Sequence, residues 1–178
     1  MNITLYGAAS DSIDHVYIEG VEELGREMAR RGHTMIFGAG ATGLMGAAAR
    51  GMHECGGHTV GVTPRFMNEL EPVSPLCSEL IGTETMAERK TVMEERADAF
   101  VIVPGGVGTW DEFFQILTLR VLGQHKKPIV LFNVGGFWNS MVAVIREGVE
   151  KHFVSCEVPK YFAVCDTANE VLDTLESK

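Results

Sequence analysis

The 178-residue chain contains no run of about 18 apolar residues, so a membrane-crossing helix is not expected. Cysteine is sparse. Cys55, Cys77, Cys156 and Cys165 stand far apart with no C-x-x-C pair, which indicates neither a disulfide framework nor a thiolate metal site. They read as reduced thiols of a cytoplasmic protein, mostly buried as small apolar groups. Positive charge is also in short supply. Fifteen Lys and Arg face twenty-four Asp and Glu, and the net charge of −9 opposes any general attraction to nucleic acid or an anionic membrane. The first residues run straight into Ile3-Thr4-Leu5-Tyr6 without a basic region or cleavage site, so no secretory leader is expected. No G-x-S-x-G elbow, H-E-x-x-H or paired Cys/His spacing occurs. His15, His33, His53, His58, His125 and His152 are dispersed, and each reads as a surface or internally satisfied residue rather than a ligand.

What is abundant is apolar residues, 46% of the chain, and glycine, twenty residues. Short apolar runs alternate with helical periodicity throughout. Strands are expected at 2–6, 34–37, 58–62, 79–82, 99–103, 129–132 and 161–165. Between the first two, Tyr17, Val21, Leu24 and Met28 recur at helical spacing up to a stop at Gly32. Further helices are expected near 43–55, 84–97, 109–122, 137–151 and 168–176. Near-continuous apolar strands alternating with helices imply an α/β domain over 1–178. It is a single Rossmann-like parallel sheet with helices on both faces, and ligands bind beyond the carboxyl ends of such strands. The segment 64–75, with Pro64, Pro72 and Pro75, reads as an ordered loop over that edge.

The most telling stretch is Asp98 to Glu112. An apolar strand enters Pro104-Gly105-Gly106-Val107-Gly108-Thr109-Trp110-Asp111-Glu112, a glycine turn that opens a helix with carboxylates expected in its first turn. Glycines admit a ligand close to the backbone, and a helix N-terminus presents unpaired N–H groups with partial positive charge. The turn is a main-chain cradle for a phosphate. No Gly-Lys-Ser/Thr follows, so it is not a triphosphate loop. Thr109-x-x-Glu112 also reads as a capping box, worth about 1 kcal/mol. That reading leaves Pro104, Gly105, Gly106 and Gly108 unexplained. Trp110, Phe113, Phe114, Leu117 and Val121 form an expected buried face behind it.

Two other segments carry polar or glycine patterns. In Glu84 to Met93, helical spacing puts Met86, Arg89 or Lys90, Met93 and Ala97 on one face. A cation in an apolar stripe is costly unless it meets an anion or snorkels to the surface. Gly38 to Gly46 contains G-x-G-x-x-G, but it follows the second strand, and Thr63-Pro64-Arg65 stands where a dinucleotide site needs an acidic residue. It is read as a second main-chain wall of the site rather than a nicotinamide fingerprint.

Together, Met86-x-x-Arg89-Lys90-x-x-Met93 and Pro104-Gly105-Gly106-x-Gly108-Thr109-x-x-Glu112 resemble the Lonely Guy (LOG) family. These are cytokinin-activating phosphoribohydrolases, long labelled possible lysine decarboxylases. The similarity spans nearly the whole chain and includes Gly43-Leu44-Met45-Gly46, Asp98-Ala99-Phe100, His125, Lys127-Pro128 and Asn133. The resemblance implies Arg89 and Glu112 as catalytic residues. It implies Lys90, Gly105, Gly106, Val107, Gly108, Thr109, Trp110, Asp111 and Thr118 as nucleotide-binding positions. An upstream acidic position falls on Glu71, with Glu69 as the rival. Departures stand at Gly7-Ala8-Ala9-Ser10, where the family has a serine-rich turn, and at Ala87 in place of a histidine. Gly38-Ala39-Gly40 replaces three glycines, and Leu119 replaces a tryptophan.

The implied reaction cleaves the N-glycosidic bond of a nucleoside 5′-monophosphate, needing no metal or redox cofactor. A nearby carboxylate then stabilises oxocarbenium character or activates water, and Glu112 takes that role. Arg89 either neutralises phosphate or polarises the departing purine. Amino-acid decarboxylation would call for a pyridoxal lysine, which nothing beyond Lys90 suggests. The alternatives are a nucleotide or molybdenum-cofactor carrier, and a general purine-monophosphate nucleosidase. A homodimer paired through helices flanking the site is implied by the family.

Overall fold

The computed structural model describes residues 1–69 and 72–177. Seven strands are joined by helices: β1 (Asn2–Tyr6), α1 (His15–Arg30), β2 (Thr34–Phe37), α2 (Gly43–Glu54), β3 (His58–Pro64), β4 (Glu79–Thr83), α3 (Met86–Arg96), β5 (Ala99–Ile102), α4 (Val107–Val121), β6 (Ile129–Phe132), α5 (Asn139–Glu150), β7 (Ala163–Cys165) and α6 (Ala168–Glu176). All seven strands form one parallel sheet in the order β4-β3-β2-β1-β5-β6-β7. The chain works outward from β1 to β4 and then returns to lay β5 on the other side of β1. That reversal opens a crevice at the carboxyl ends of β1 and β5, where Tyr6 lies opposite Ile102.

Side chains alternate between two cores, as parallel strands covered on both faces require. Ile3 and Leu5 of β1 join α1, α2 and α6 on one face. Tyr6, with Phe100 and Ile102 of β5, joins α3, α4 and α5 on the other. The expected strands and helices are all present, with ends displaced by a few residues. The last strand is shorter, beginning at Ala163 rather than 161, and a 3-10 turn at Val134–Gly136 precedes α5. Within the proline-rich segment, Arg65–Glu69 forms a 3-10 turn and Val73 bridges back to Gly40.

Two sequence-based expectations are corrected at α4. The helix begins at Val107 rather than Thr109, because Gly106 is its N-cap and the Trp110 N–H donates to the Gly106 carbonyl at 3.0 Å. Thr109 therefore lies inside the helix, 4% exposed, and cannot serve as its cap. The capping-box reading fails, and Asp111 and Glu112 fall beyond the first turn. The buried face holds only at Phe113 and Leu117. Trp110, Phe114 and Val121 remain 39%, 40% and 46% exposed.

The other face is set by a close approach of α1 and α2. A Cβ on Gly25 would stand 2.3 Å from the Ala48 carbonyl oxygen, and one on Gly51 would stand 2.0 Å from that of Glu22. Neither contact is relieved by turning a side chain. Gly25→Ala and Gly51→Ala are each expected to cost about 2 kcal/mol, although alanine favours an isolated helix by about 1 kcal/mol. Urea unfolding checks this: midpoints at or above wild type would refute the packing account.

Candidate active site

A cavity of about 380 Å³ occupies the crevice beyond β1, β2 and β3. Its floor and walls are turns: Gly7 to Ser10 after β1, Gly38 to Gly40 after β2, and Thr63 and Pro64 ending β3. Helix α3 contributes Met86, Arg89 and Lys90, and α4 contributes Gly108, Thr109, Asp111 and Glu112 behind Gly106.

The two glycine turns differ in what their amides do. At α2 the donors are already taken by the chain itself. Gly43 N–H donates to Asp11 Oδ1 at 3.1 Å, Leu44 N–H to the Ala8 carbonyl at 2.9 Å, and Gly46 N–H to the Thr42 carbonyl at 3.0 Å. An anion finds no free grip there, which is the physical reason the G-x-G-x-x-G run acts only as a wall. At α4 no side chain caps the first turn, and a Cβ on Gly106 or Gly108 would meet nothing within 4 Å. The open amides of that turn, together with the partial positive charge of the helix end, are able to hold an anion. Gly105 serves the turn differently. A Cβ there would collide with Thr109 Oγ1 at 2.1 Å, so the bare glycine lets the turn close over Thr109.

Arg89 and Glu112 come from facing helices and meet inside the cavity. Arg89 Nη1 stands 3.6 Å from Glu112 Oε1, with the two side chains 12% and 11% exposed. Arg89 Nε donates to the Val62 carbonyl at 3.2 Å. Its guanidinium end comes so close to Gly38 that a Cβ there would be 2.0 Å from Nη2. That contact explains a glycine after β2 that the fingerprint reading did not. At 3.6 Å the ion pair is too long for a hydrogen bond, and burial dominates the acidity of Glu112. Loss of water raises its pKa to about 7, Arg89 and Lys90 pull it down, and Asp111 pushes it up. Lys90 is engaged at the rim, 2.9 Å from Asp111 Oδ2.

Of the residues singled out from sequence, Arg89, Glu112, Lys90, Gly106, Gly108, Thr109 and Asp111 line this cavity. Gly105 borders a neighbouring depression with Pro104, Tyr17 and Phe137. Val107 points outward, 76% exposed. Trp110 is not among the lining residues, and Thr118 lies in an apolar surface groove with Phe114, Leu117 and Leu122. Glu71 lies outside the described residues, and for Glu69 only the backbone is described. The structure adds Tyr6, Met45, Met67, Pro72, Val73 and Met86 to the walls. Met86 carried a signal, one turn ahead of the Arg89-Lys90 pair. The others converge only through the sheet and the loop after β3. Ala8 and Ala9 line the cavity where serines were expected, while Ala87 is exposed and away from it.

The arrangement matches known proteins in both sequence and fold. A family described as possible lysine decarboxylase matches residues 45–175. A cytokinin riboside 5′-monophosphate phosphoribohydrolase of Mycobacterium tuberculosis is 38% identical over 96% of this chain and 90% of its own. The chain belongs to the LOG family. A probable LOG phosphoribohydrolase of Oryza sativa subsp. japonica is 34% identical over 90% of this chain and 76% of its own. The molybdenum cofactor binding protein of Rippkaea orientalis shares the fold, with a TM-score of 0.73 and 18% identity, covering 99% of this chain and 94% of that one.

Burial of Glu112 in this LOG protein links its proton to stability. Its folded pKa, about 7, lies above the ordinary carboxylate value of 4.5. The native state therefore holds the proton more tightly, and this contribution is complete below pH 4.5 and lost as pH rises through 7. Glu112→Gln mimics the protonated form. Its stability relative to wild type should improve by up to about 3 kcal/mol between pH 4.5 and 8.5. A constant difference across that range in urea unfolding would show that Glu112 titrates normally.

Proposed function

We propose that this protein hydrolyses purine nucleoside 5′-monophosphates of the cytokinin type to the free base and ribose 5-phosphate. The observation that carries the reading is the buried Arg89–Glu112 pair set beside the open amides of α4. Phosphate binds on the first turn of α4, which fixes the ribose at the height of Glu112, one and a half turns along the same helix. The bond from C1′ to the purine nitrogen breaks, water oxygen joins C1′, and its proton ends on the base. Glu112 stabilises the oxocarbenium-like carbon, accepts the proton of the attacking water and passes it to the base. Arg89, locked on the Val62 carbonyl, stabilises the negative charge of the departing purine. At the side of the cavity away from α4, Met45, Met67, Pro72 and Val73 offer an apolar seat for an N6 substituent.

A carrier would share the phosphate cradle but has no use for a carboxylate beside a bound anion, which costs affinity. The relatives at 30% identity or more are named as phosphoribohydrolases, whereas the carrier proteins share the fold alone. Incubation with AMP and with isopentenyladenosine monophosphate, followed by assay of ribose 5-phosphate, decides between them. Turnover is expected with both, faster with the prenylated substrate, and rising with pH up to about 7 as Glu112 ionises. Glu112→Gln should bind nucleotide and lose about 100-fold or more in kcat. Equal turnover in that variant removes Glu112 from the mechanism, and nucleotide binding without product in wild type favours the carrier.

The working unit in this reading is a homodimer in the cytoplasm. Phe114 and Val121 of α4 and Leu122 just after it, with Val154 and Val158, line an apolar groove, and Phe153 beside it is 87% exposed. Such a continuous apolar face suits burial against a second copy. A cytoplasmic site agrees with four cysteines that form no disulfide, and among the described residues no helix is long and apolar enough to cross a membrane. Net charge of −9 gives no support to a nucleic-acid partner. Gel filtration at micromolar concentration should show a dimer, and Leu122→Asp should shift it to monomer. A wild-type monomer would rule the pairing out.

A further inference from the structure

We infer that Gly38 is a positioning residue for Arg89: its missing side chain leaves the space that Nη2 occupies, and that space fixes where the guanidinium stands in the cavity and so against the departing base. The inference rests on the phosphoribohydrolase reading of the site.

The turn after β2 places its residues in an order that backbone geometry does not explain. Ala39 is the one in the left-handed region, with a φ of 63°, where a side chain is disfavoured. Gly38 lies outside that region, so its own backbone admits an alanine. What excludes a side chain at this position is Arg89. A Cβ there would stand 2.0 Å from Nη2 and 3.2 Å from Cζ, with the adaptable Met45 Sδ next at 3.3 Å. The glycine answers to a side chain of α3, not to the turn that contains it.

The turn is pinned on both sides and does not step aside to relieve that collision. Phe37, immediately before it, pairs with Gly61 in the sheet. Ala39 is buried and its carbonyl accepts from the Ser74 N–H at 2.8 Å. Gly40 bridges to Val73, and the Ala41 N–H donates to the Pro72 carbonyl at 3.2 Å. Arg89 is therefore the partner that yields. Its Nε donates to the Val62 carbonyl at 3.2 Å, while Nη1 reaches Met86 Sδ at 4.0 Å and stands 3.6 Å from Glu112 Oε1. A guanidinium is one rigid plane, so displacing Nη2 also displaces Nη1. A single methyl at position 38 thus moves the donor aimed at the base. Lys90 does not replace it, being held 2.9 Å from Asp111 Oδ2.

Gly38→Ala should fold with a urea midpoint close to wild type, since only the end of a flexible side chain must move. Its kcat on isopentenyladenosine monophosphate should fall about 100-fold, with KM within about threefold of wild type. In an Arg89→Lys background, which has no Nη2, adding Gly38→Ala should change kcat by less than about twofold. Equal losses in both backgrounds mean that the turn itself rejects alanine, and they overturn the inference, as does full activity of Gly38→Ala. If Gly38→Ala does not fold, the double variant decides. Folding restored by lysine identifies Arg89 as the obstacle, and failure of both overturns the inference. A further readout needs no turnover. In protein isotopically labelled on arginine nitrogen, the Arg89 Nε–H resonance, assigned by its loss in Arg89→Lys, should exchange slowly in wild type. In Gly38→Ala it should shift and exchange faster, and an unchanged resonance overturns the inference. If it moves while wild type hydrolyses no nucleotide, the seat for Arg89 stands and the phosphoribohydrolase reading fails instead.

Discussion

Everything in the site depends on the open first turn of α4. Because Gly106 takes the N-cap position with no side chain to offer, the amides of that turn face the crevice instead of a hydroxyl. The helix starts three residues earlier than its capping-box pattern suggests, and this advance has two consequences. Thr109 is drawn under Gly105 and buried. Glu112 is released from any duty to the helix end and enters the cavity opposite Arg89. One backbone decision thus creates both the uncapped helix end and the unattached carboxylate.

The sheet supplies the second half of the site. At the carboxyl edge of the sheet the turns after β1, β2 and β3 border a gap that α3 and α4 close from the other side. The gap is dry enough to raise the pKa of Glu112 to about 7 even with Arg89 nearby, because the pair is too long to be hydrogen bonded. The Val62 carbonyl accepts from Arg89 Nε and the bare Gly38 makes room for Nη2, so the guanidinium is held apart from Glu112. Two glycine-rich turns border this gap with opposite fates. Asp11 and the Ala8 carbonyl saturate the amides of α2, while those of α4 stay available.

Much of this was legible in the linear chain. Alternating apolar runs and helical periodicity located every strand and helix, since the two repeats of side-chain direction differ clearly over windows of this length. The Arg89-Lys90 pair and the glycine turn before Glu112 also stood out. Less legible were contacts that span the sheet. Trp110, Val107 and Thr118 sit near the glycine turn in sequence, yet the rotation of α4 carries them away from the cavity. Tyr6, Met45 and Met67 lie far from Glu112 along the chain and share its cavity only because β1, α2 and the loop after β3 meet at one edge.

Taken alone, the order of residues determined an α/β architecture, and it singled out an open glycine turn with an arginine and a glutamate near it. These follow from local backbone preference and residue chemistry, which act over a few positions. Tertiary structure decided which glycine turn is open, which faces of α3 and α4 look at each other, and how far Glu112 is removed from water. Each of these depends on groups distant in sequence competing for the same space and the same hydrogen bonds, and that competition is resolved only when the sheet has assembled.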